Sequence, residues 1–377
     1  MIYLDNTATT FPKPECVPEE ISKCIRHYCG NPGRSTHTLS MQSAEKIYDT
    51  RHLLADMFDC DEENVVFTYN TTYALNLAIK SLITAGSHVL ISDIEHNSVY
   101  RPISQLAHNS VCSFSIFDTA GSDDDILKSI LSSIHSNTKM LVCTHVSNIG
   151  SRRLPLSKIG DLCEKLKITF IVDAAQSAGI YDISVKKMKI TALCMPAHKG
   201  LYGPQGLGMI LFNTNEIRQS VIEGGTGINS MEVNMPSFLP EGLEAGTQST
   251  PSIAGLNASL RWLKNISLKQ IRAHEEALYG CLVSELRSIP NVIVYEMNNY
   301  PGNTLIFNVK GLPSTRVASN LNDEGICVRG GYHCSPLAHK VMGTLNTGAV
   351  RVGFSVFNSK NEIICLKTAL NKIANKK

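Results

Sequence analysis

The residues of this chain best suited to covalent chemistry stand where the backbone cannot run regularly. Cys334 lies in VRGGYHCSPLAH, residues 328–339, after a His and within a run of Gly, Ser and Pro that neither a helix nor a central strand continues. Lys199 lies in CMPAHKGLYGPQGLGMILF, between a strand ending near Met195 and a Gly-rich turn that returns into GMILF. A Lys kept near apolar strands can lose its proton and attack a carbonyl, forming a Schiff base. Asp173 closes the apolar run ITFIVD, with Gln176 one helical turn beyond it. A carboxylate there is costly unless a cation meets it. Taken singly, each has an ordinary alternative: a buried structural thiol, a solvated loop amine, a cap on the next helix.

Other strand ends carry weaker signals. FTYNTTYALN brings Thr71 and Thr72 to a helix start, where free N–H groups and two hydroxyls suit an anion, most often phosphate. A plain N-cap is the alternative. ISDIEHNSVY offers His96, and THVSNIG offers Ser147 and Asn148, for which surface hydrogen bonding and turn formation are the alternatives.

The elements that must hold these residues follow from hydrophobic periodicity. Short apolar runs rich in β-branched residues (NVVFTYN, HVLIS, VCSFSIF, KMLVCTH, ITFIVD) alternate with helical patterns from Ser40 to Phe58, over TTYALNLAIKSLI, from about Val99, over DDDILKSILSSI and over LSKIGDLCEKL. Strands buried on both faces and joined by crossover helices predict an α/β fold with a mostly parallel, doubly wound sheet. Ligands of such sheets gather at the carboxyl ends of the strands, where the polar residues above stand. The expected division is a large domain over 16–252 and a smaller α+β C-terminal domain from 1–15 plus 253–377. The latter would bring Cys334 and Arg351 to the large domain.

Composition narrows the class. With 43% hydrophobic and 18% charged residues and a net charge of +2, the chain has no polybasic run for nucleic acid or anionic lipid. No apolar run reaches the roughly 18 residues of a membrane span. Twelve cysteines include no C-x-x-C pair, so no metal is expected, and the N-terminus has no cationic and apolar signal segment. A reducing, cytoplasmic setting is expected.

In combination, an apolar-flanked Asp for a ring nitrogen, a Lys for an aldehyde, a Thr-rich helix start for a phosphate and a His near the ring are the protein parts that pyridoxal 5′-phosphate requires. The motifs YLDNTATT, NPGRSTH, TTYALN, EHNS, SNIG, VDAAQSAG, HKGLYGPQG, EAGTQSTPSIAGL, VRGGYHC and AVRVGFSVFN span nearly the whole chain. Together they resemble class V aminotransferase-fold enzymes of the cysteine desulfurase and selenocysteine lyase group with a short Cys loop.

That resemblance implies a fold type I transferase in which Lys199 holds the cofactor and Asp173 pairs with the pyridinium nitrogen. His96 would stack on the ring and shuttle protons. Asn148 and Gln176 would bond the substrate side and the phenolic oxygen, and Thr71, Thr72 and His198 the phosphate. Thr247 would reach the phosphate of a neighbouring subunit, making a homodimer with shared active sites. Arg351, helped by Arg329, would clamp the substrate carboxylate. Cys334 would take sulfur from L-cysteine as a persulfide, release alanine and pass the sulfur to an acceptor protein. The adjacent His333 is expected to favour its thiolate. The chain differs from the group's usual pattern at Tyr332, where a His is usual, at Pro196, where Ser or Thr is usual, and at Asn70 and Tyr73 beside the phosphate threonines. L-selenocysteine lyase and a non-desulfurizing enzyme of the same fold (aminotransferase, epimerase or lyase) are the other readings.

Overall fold

A computed structural model of the chain describes residues 1–33, 36–215, 217–297 and 302–375. Arg34 and Ser35 of the NPGRSTH motif lie outside these. The chain opens with β1 (Ile2–Tyr3), α1 (Cys16–His27) and α2 (Thr38–Phe58). It then alternates β2 (Val65–Thr68), α3 (Thr71–Leu82), β3 (Ser87–Ser92), α4 (Asn97–His108), β4 (Cys112–Phe117), α5 (Asp123–Ser133), β5 (Thr138–Thr144), α6 (Leu156–Leu166) and β6 (Thr169–Asp173). Strands β7 (Ala192–Pro196) and β8 (Gly208–Phe212) complete a seven-stranded sheet of order β2-β8-β7-β6-β5-β3-β4. Only β8 runs antiparallel to its neighbours.

The dense apolar runs form strands because both faces are covered. Leu90, Leu141, Cys143, Phe170, Val172 and Leu193 point to one side, where α2, α5 and α6 pack. Val89, Ile91, Val142, Ile171 and Cys194 point to the other, against α3 and α4. Full burial of each large aliphatic side chain in α3, such as Leu75, Leu77 and Ile79, contributes roughly 1.5–3 kcal/mol. With helices on both faces, the sheet's carboxyl ends are left for polar turns.

Next come α7 (Thr250–Asn265) and α8 (Leu268–Arg287). The expected boundary between residues 252 and 253 falls inside α7, whose Ile253, Leu256, Leu260 and Leu263 join the main sheet's core beside α2. The chain continues through β9 (Val292–Tyr295), β10 (Thr304–Val309), α9 (Ser314–Asp323), β11 (Ile326–Cys327), β12 (Arg329–Gly331), α10 (Pro336–Val341), β13 (Ala349–Gly353) and α11 (Lys360–Asn375). Here an antiparallel sheet of order β12-β13-β10-β9 forms a second core with α8, α9 and α11, around Leu282, Leu305, Phe307, Val350, Val352 and Leu366. Leu4 belongs to this core, and β1 pairs in parallel with β11, so the N-terminus is tied to the C-terminal unit. No helix among the described residues is long and apolar enough to cross a membrane.

Candidate active site

The turns at the carboxyl ends of β2, β3, β5, β6 and β7 meet β12 and β13 around one cavity of about 220 Å³. Thr71, Thr72, His96, Asn148, Asp173, Gln176, His198, Lys199, Arg329, Cys334 and Arg351 all line it, together with Thr7, Ala8, Ser98 and Thr144. Larger surface hollows lie elsewhere, and one of them also carries a thiol, an amine and carboxylates at Cys60, Lys187 and Asp59, but burial pushes that thiol up to about 12 and the lysine is exposed to solvent.

Two backbone contacts set the Lys199 turn against the Asp173 turn. Gly179 has φ +82°, and a Cβ there would lie 2.0 Å from the Gly200 carbonyl oxygen. A Cβ on Gly200 would lie 2.4 Å from the Ala178 carbonyl oxygen. The two turns therefore approach as closely as only glycine allows. The N-terminal segment holds the same turn from the other side. Thr10 N–H, Lys13 Nζ and Thr9 Oγ1 all donate to the His198 carbonyl, and Thr10 Oγ1 donates to that of Lys199 at 2.8 Å. YLDNTATT was legible as a motif, but its part in fixing the Lys199 backbone was not, because hydrogen bonds to carbonyls have no periodicity.

The electrostatics of the cavity follow from burial. Lys199 is pushed down to about 8 by desolvation, with Asp173 opposing and Arg351 assisting. Asp173 is pushed up by burial, against the Ala175 N–H that donates to its Oδ1 at 2.9 Å and the charge of Lys199. Glu95, wholly buried nearby, is pushed up to about 8 by desolvation, so it is mostly protonated at neutral pH. His96 caps α4, with its Nδ1 accepting from Ser98 N–H and Oγ. Burial and the charges of Lys199 and Arg351 push it down to about 4. It is therefore a neutral ring whose proton sits on Nε2. His198 is likewise neutral, pushed down to about 3 by burial, Lys199 and Lys13.

At the turn before α3, Asn70 Oδ1 accepts from Tyr73 N–H, an ordinary cap, while Thr71 and Thr72 face the cavity. A Cβ on Gly208 of β8 would lie 2.6 Å from the Asn70 carbonyl carbon, so this turn also sits directly on the neighbouring strand. Arg351 of β13 is buried and donates through Nη2 to Asp5 Oδ1 at 2.9 Å, whereas its Nε has no partner. Arg329 lies opposite it in the ladder.

Cys334 is exposed on the loop between β12 and α10, and it and His333 both have positive φ, 57° and 51°. Such a conformation costs a side-chain-bearing residue roughly 1–2 kcal/mol, so the surroundings must impose it. Asn148, read from the sequence as a contact to the substrate side, bonds this loop with both ends of its amide: Nδ2 donates to the His333 carbonyl at 3.0 Å and Oδ1 accepts from Ser335 Oγ at 2.7 Å. Gln176 Nε2 donates to the Thr7 carbonyl. The expectation that His333 would favour the Cys334 thiolate does not hold. Its ring is buried against His339, and desolvation and Arg351 push it down to about 2, so it carries no positive charge at neutral pH.

Thr247 is exposed and lies away from the cavity, beside Thr68, Tyr69 and Tyr73. Among the described residues, no cluster of three or more His, Cys, Asp or Glu is arranged to hold a metal ion.

The donor set fits pyridoxal 5′-phosphate. It offers a buried carboxylate for a ring nitrogen, a nearby amine with a depressed pKa for an aldehyde, and a helix N-terminus with two threonines for a phosphate.

Comparison with known proteins agrees with this reading. The family model described as aminotransferase class-V matches residues 2–366. Two relatives are each named "Probable cysteine desulfurase". One, from Methanothermobacter thermautotrophicus, is 29% identical over 99% of this chain and 94% of its own length. The other, from Pyrococcus abyssi, is 31% identical over 96% of this chain and 92% of its own. The apo structure of a cysteine desulfurase from Thermococcus onnurineus superposes with a TM-score of 0.87 at 29% identity, covering all of this chain and 95% of the other.

Proposed function

The chain belongs to the class V aminotransferase family, and from that membership we propose that it is a pyridoxal 5′-phosphate-dependent cysteine desulfurase. The observation that carries the reading is one cavity lined by Lys199, Asp173, Arg351 and an exposed Cys334. The relatives named as cysteine desulfurases support the same reaction.

Lys199 would hold the cofactor, Asp173 would face its ring nitrogen, His96 would lie on the ring, Gln176 would reach its phenolic oxygen, and Thr71, Thr72 and His198 would bind its phosphate. The cofactor when bound supplies an electron sink that labilises bonds at the substrate's α- and β-carbons. Arg351 orients the substrate through its carboxylate, with Arg329 at the open side and Asp5 fixing the guanidinium plane. Lys199, poised near 8, can take and return a proton at neutral pH. His96 supports it as a donor through Nε2–H; its Nδ1 is committed to the helix cap.

Cys334 receives the sulfur. A bond forms between its Sγ and the substrate sulfur, the substrate Cβ–S bond breaks, and Cβ takes a proton. L-cysteine and thiol thus balance to L-alanine and persulfide. The sulfur is oxidised and the carbon reduced, so no outside oxidant is required. The held loop and exposed thiol suit delivery to an acceptor protein.

A homodimer is supported by the exposed Thr247 and by Met231 and Val233, which are 96% and 98% exposed on the same irregular stretch between β8 and α7. Twelve free cysteines support a reducing compartment, the cytoplasm. L-selenocysteine is the second candidate substrate, since a more acidic selenol leaves with less help from a thiol.

The test is alanine and sulfide formation from L-cysteine by wild type and Cys334→Ala. Alanine formed by wild type and lost in the variant, with the visible cofactor band retained in both, is the expected result. Full activity of the variant on L-selenocysteine alone would move the assignment to selenocysteine lyase, and no alanine from either substrate would sink it.

A further inference from the structure

A chain of hydrogen bonds runs from the interior of the C-terminal unit to the base of the Cys334 loop. His333 Nε2 lies 3.1 Å from the Arg329 carbonyl oxygen, His333 Nδ1 lies 3.2 Å from His339 Nε2, and His339 Nδ1 lies 2.7 Å from Thr344 Oγ1. All three side chains are buried, His339 and Thr344 completely.

A carbonyl oxygen can only accept, so His333 Nε2 carries a proton. In a neutral ring Nδ1 is then an acceptor, which requires His339 Nε2 to donate. His339 Nδ1 is an acceptor in turn, which leaves the Thr344 hydroxyl as donor. Burial and Arg351 keep both rings neutral, with His333 near 2 and His339 near 4. The four ring nitrogens are thus used in one direction, from Thr344 to Arg329; the Thr344 hydroxyl also lies 3.4 Å from the His339 carbonyl, a longer contact than its 2.7 Å to Nδ1, and the Tyr332 backbone bonds His339 as well.

The chain ends where the backbone most needs a constraint. His333 and Cys334 are consecutive residues in the left-handed region, and the His333 and Cys334 carbonyls are taken by Asn148 Nδ2 and Asn97 N–H. Those bonds hold the loop from the large-domain side. The imidazole chain holds it from the other. We infer that His339 and Thr344 are positioning residues for the sulfur-accepting thiol: their one-way hydrogen-bond chain fixes the His333 ring and, through it, the left-handed turn that presents Cys334 to the cavity. The inference deepens the desulfurase reading and rests on it for the role of Cys334.

Without the Thr344 hydroxyl, His339 Nδ1 loses its donor. A switch of both rings to the other tautomer would then turn an unprotonated His333 Nε2 toward the Arg329 carbonyl, an acceptor facing an acceptor. The loop is expected to open by the factor that one lost hydrogen bond controls, about fivefold.

The experiment uses the holoenzyme as purified and two readouts: the rate of Cys334 alkylation by iodoacetamide, followed on the Cys334 peptide by mass spectrometry, and the rate of alanine formation from L-cysteine. Thr344→Val should raise alkylation and lower alanine formation, each by about fivefold. Thr344→Ser, which keeps the donor, should restore both. His339→Gln, whose Nε2 can still donate, should resemble wild type, and His339→Leu should resemble Thr344→Val. Should Thr344→Val fail to fold, the His339 pair decides. Alkylation unchanged in His339→Leu, or changed alike in His339→Leu and His339→Gln, overturns the inference. A wild type that makes no alanine overturns the desulfurase reading, while the alkylation series still judges the positioning chain.

Discussion

Lys199 offers the sharpest electrostatic test, because the same cavity pushes its pKa in both directions. Desolvation lowers it from 10.5 to about 8, Asp173 is the largest charge acting upward, and Arg351 the largest acting downward. At pH 7 an amine of pKa 8 is roughly 10% free base, against roughly 0.03% for an ordinary lysine, a gain of roughly 300-fold in attacking species. Competitive acetylation of cofactor-free protein by acetic anhydride across pH 6–11, read on the Lys199 peptide by mass spectrometry, gives the titration directly. Wild type should show a midpoint near 8. Asp173→Asn removes a stabilising negative charge and should move the midpoint down. Arg351→Gln removes a repelling positive charge and should move it up. Because the unfolded chain binds this proton up to 10.5, the contribution of Lys199 to stability should grow as pH rises from about 8 toward 10.5. A wild-type midpoint at the ordinary 10.5, or a shift of both variants in the same direction, would refute the account of the cavity.

Two other substitutions probe what holds the site and what it holds. Gly179→Ala places a Cβ 2.0 Å from the Gly200 carbonyl at φ +82°. The left-handed cost and the overlap together predict a loss of roughly 2–5 kcal/mol. A fall of several degrees in the thermal midpoint together with weaker cofactor retention is expected, and a wild-type melting curve would show that the turns are looser than described. Arg351→Gln should raise the KM for L-cysteine by roughly tenfold to a hundredfold, the value of a charged hydrogen bond to carboxylate. Cysteamine, which lacks the carboxylate, should bind wild type and variant alike, and equal weakening on both ligands would argue against a carboxylate clamp.

Much of the fold was legible because burial on both faces leaves a dense record in the chain. ITFIVD, HVLIS and GMILF could only be interior strands, and LSKIGDLCEKL forms α6 with the bounds its periodicity implies. The ambiguity lay in what each apolar face meets. The stripe of α7 reads equally well against either sheet, and only packing assigned Leu256, Leu260 and Leu263 to the larger one. Residue type likewise singled out Lys199 and Asp173, since an amine and a carboxylate at the ends of buried strands stand against the local pattern.

The roles of other site residues could not be read from type. Asn148 is an amide at a strand end in any reading, and its bonds to the Cys334 loop exist only because β5 and α10 meet in space. His333 beside Cys334 looked like a cation next to a thiol, yet its side chain points into the C-terminal unit, where burial removes its charge. Asp5 and Arg351 are separated by 346 positions and joined by 2.9 Å.

The sequence by itself determined the alternation of strands and helices, the chemical types at the strand ends and the family they compose, because local propensity and burial pattern are written residue by residue. Tertiary structure alone decided which of those residues share a cavity, which protons they carry and which way they face. Those properties depend on desolvation and on partners contributed by distant segments, and neither has a local signature in the chain.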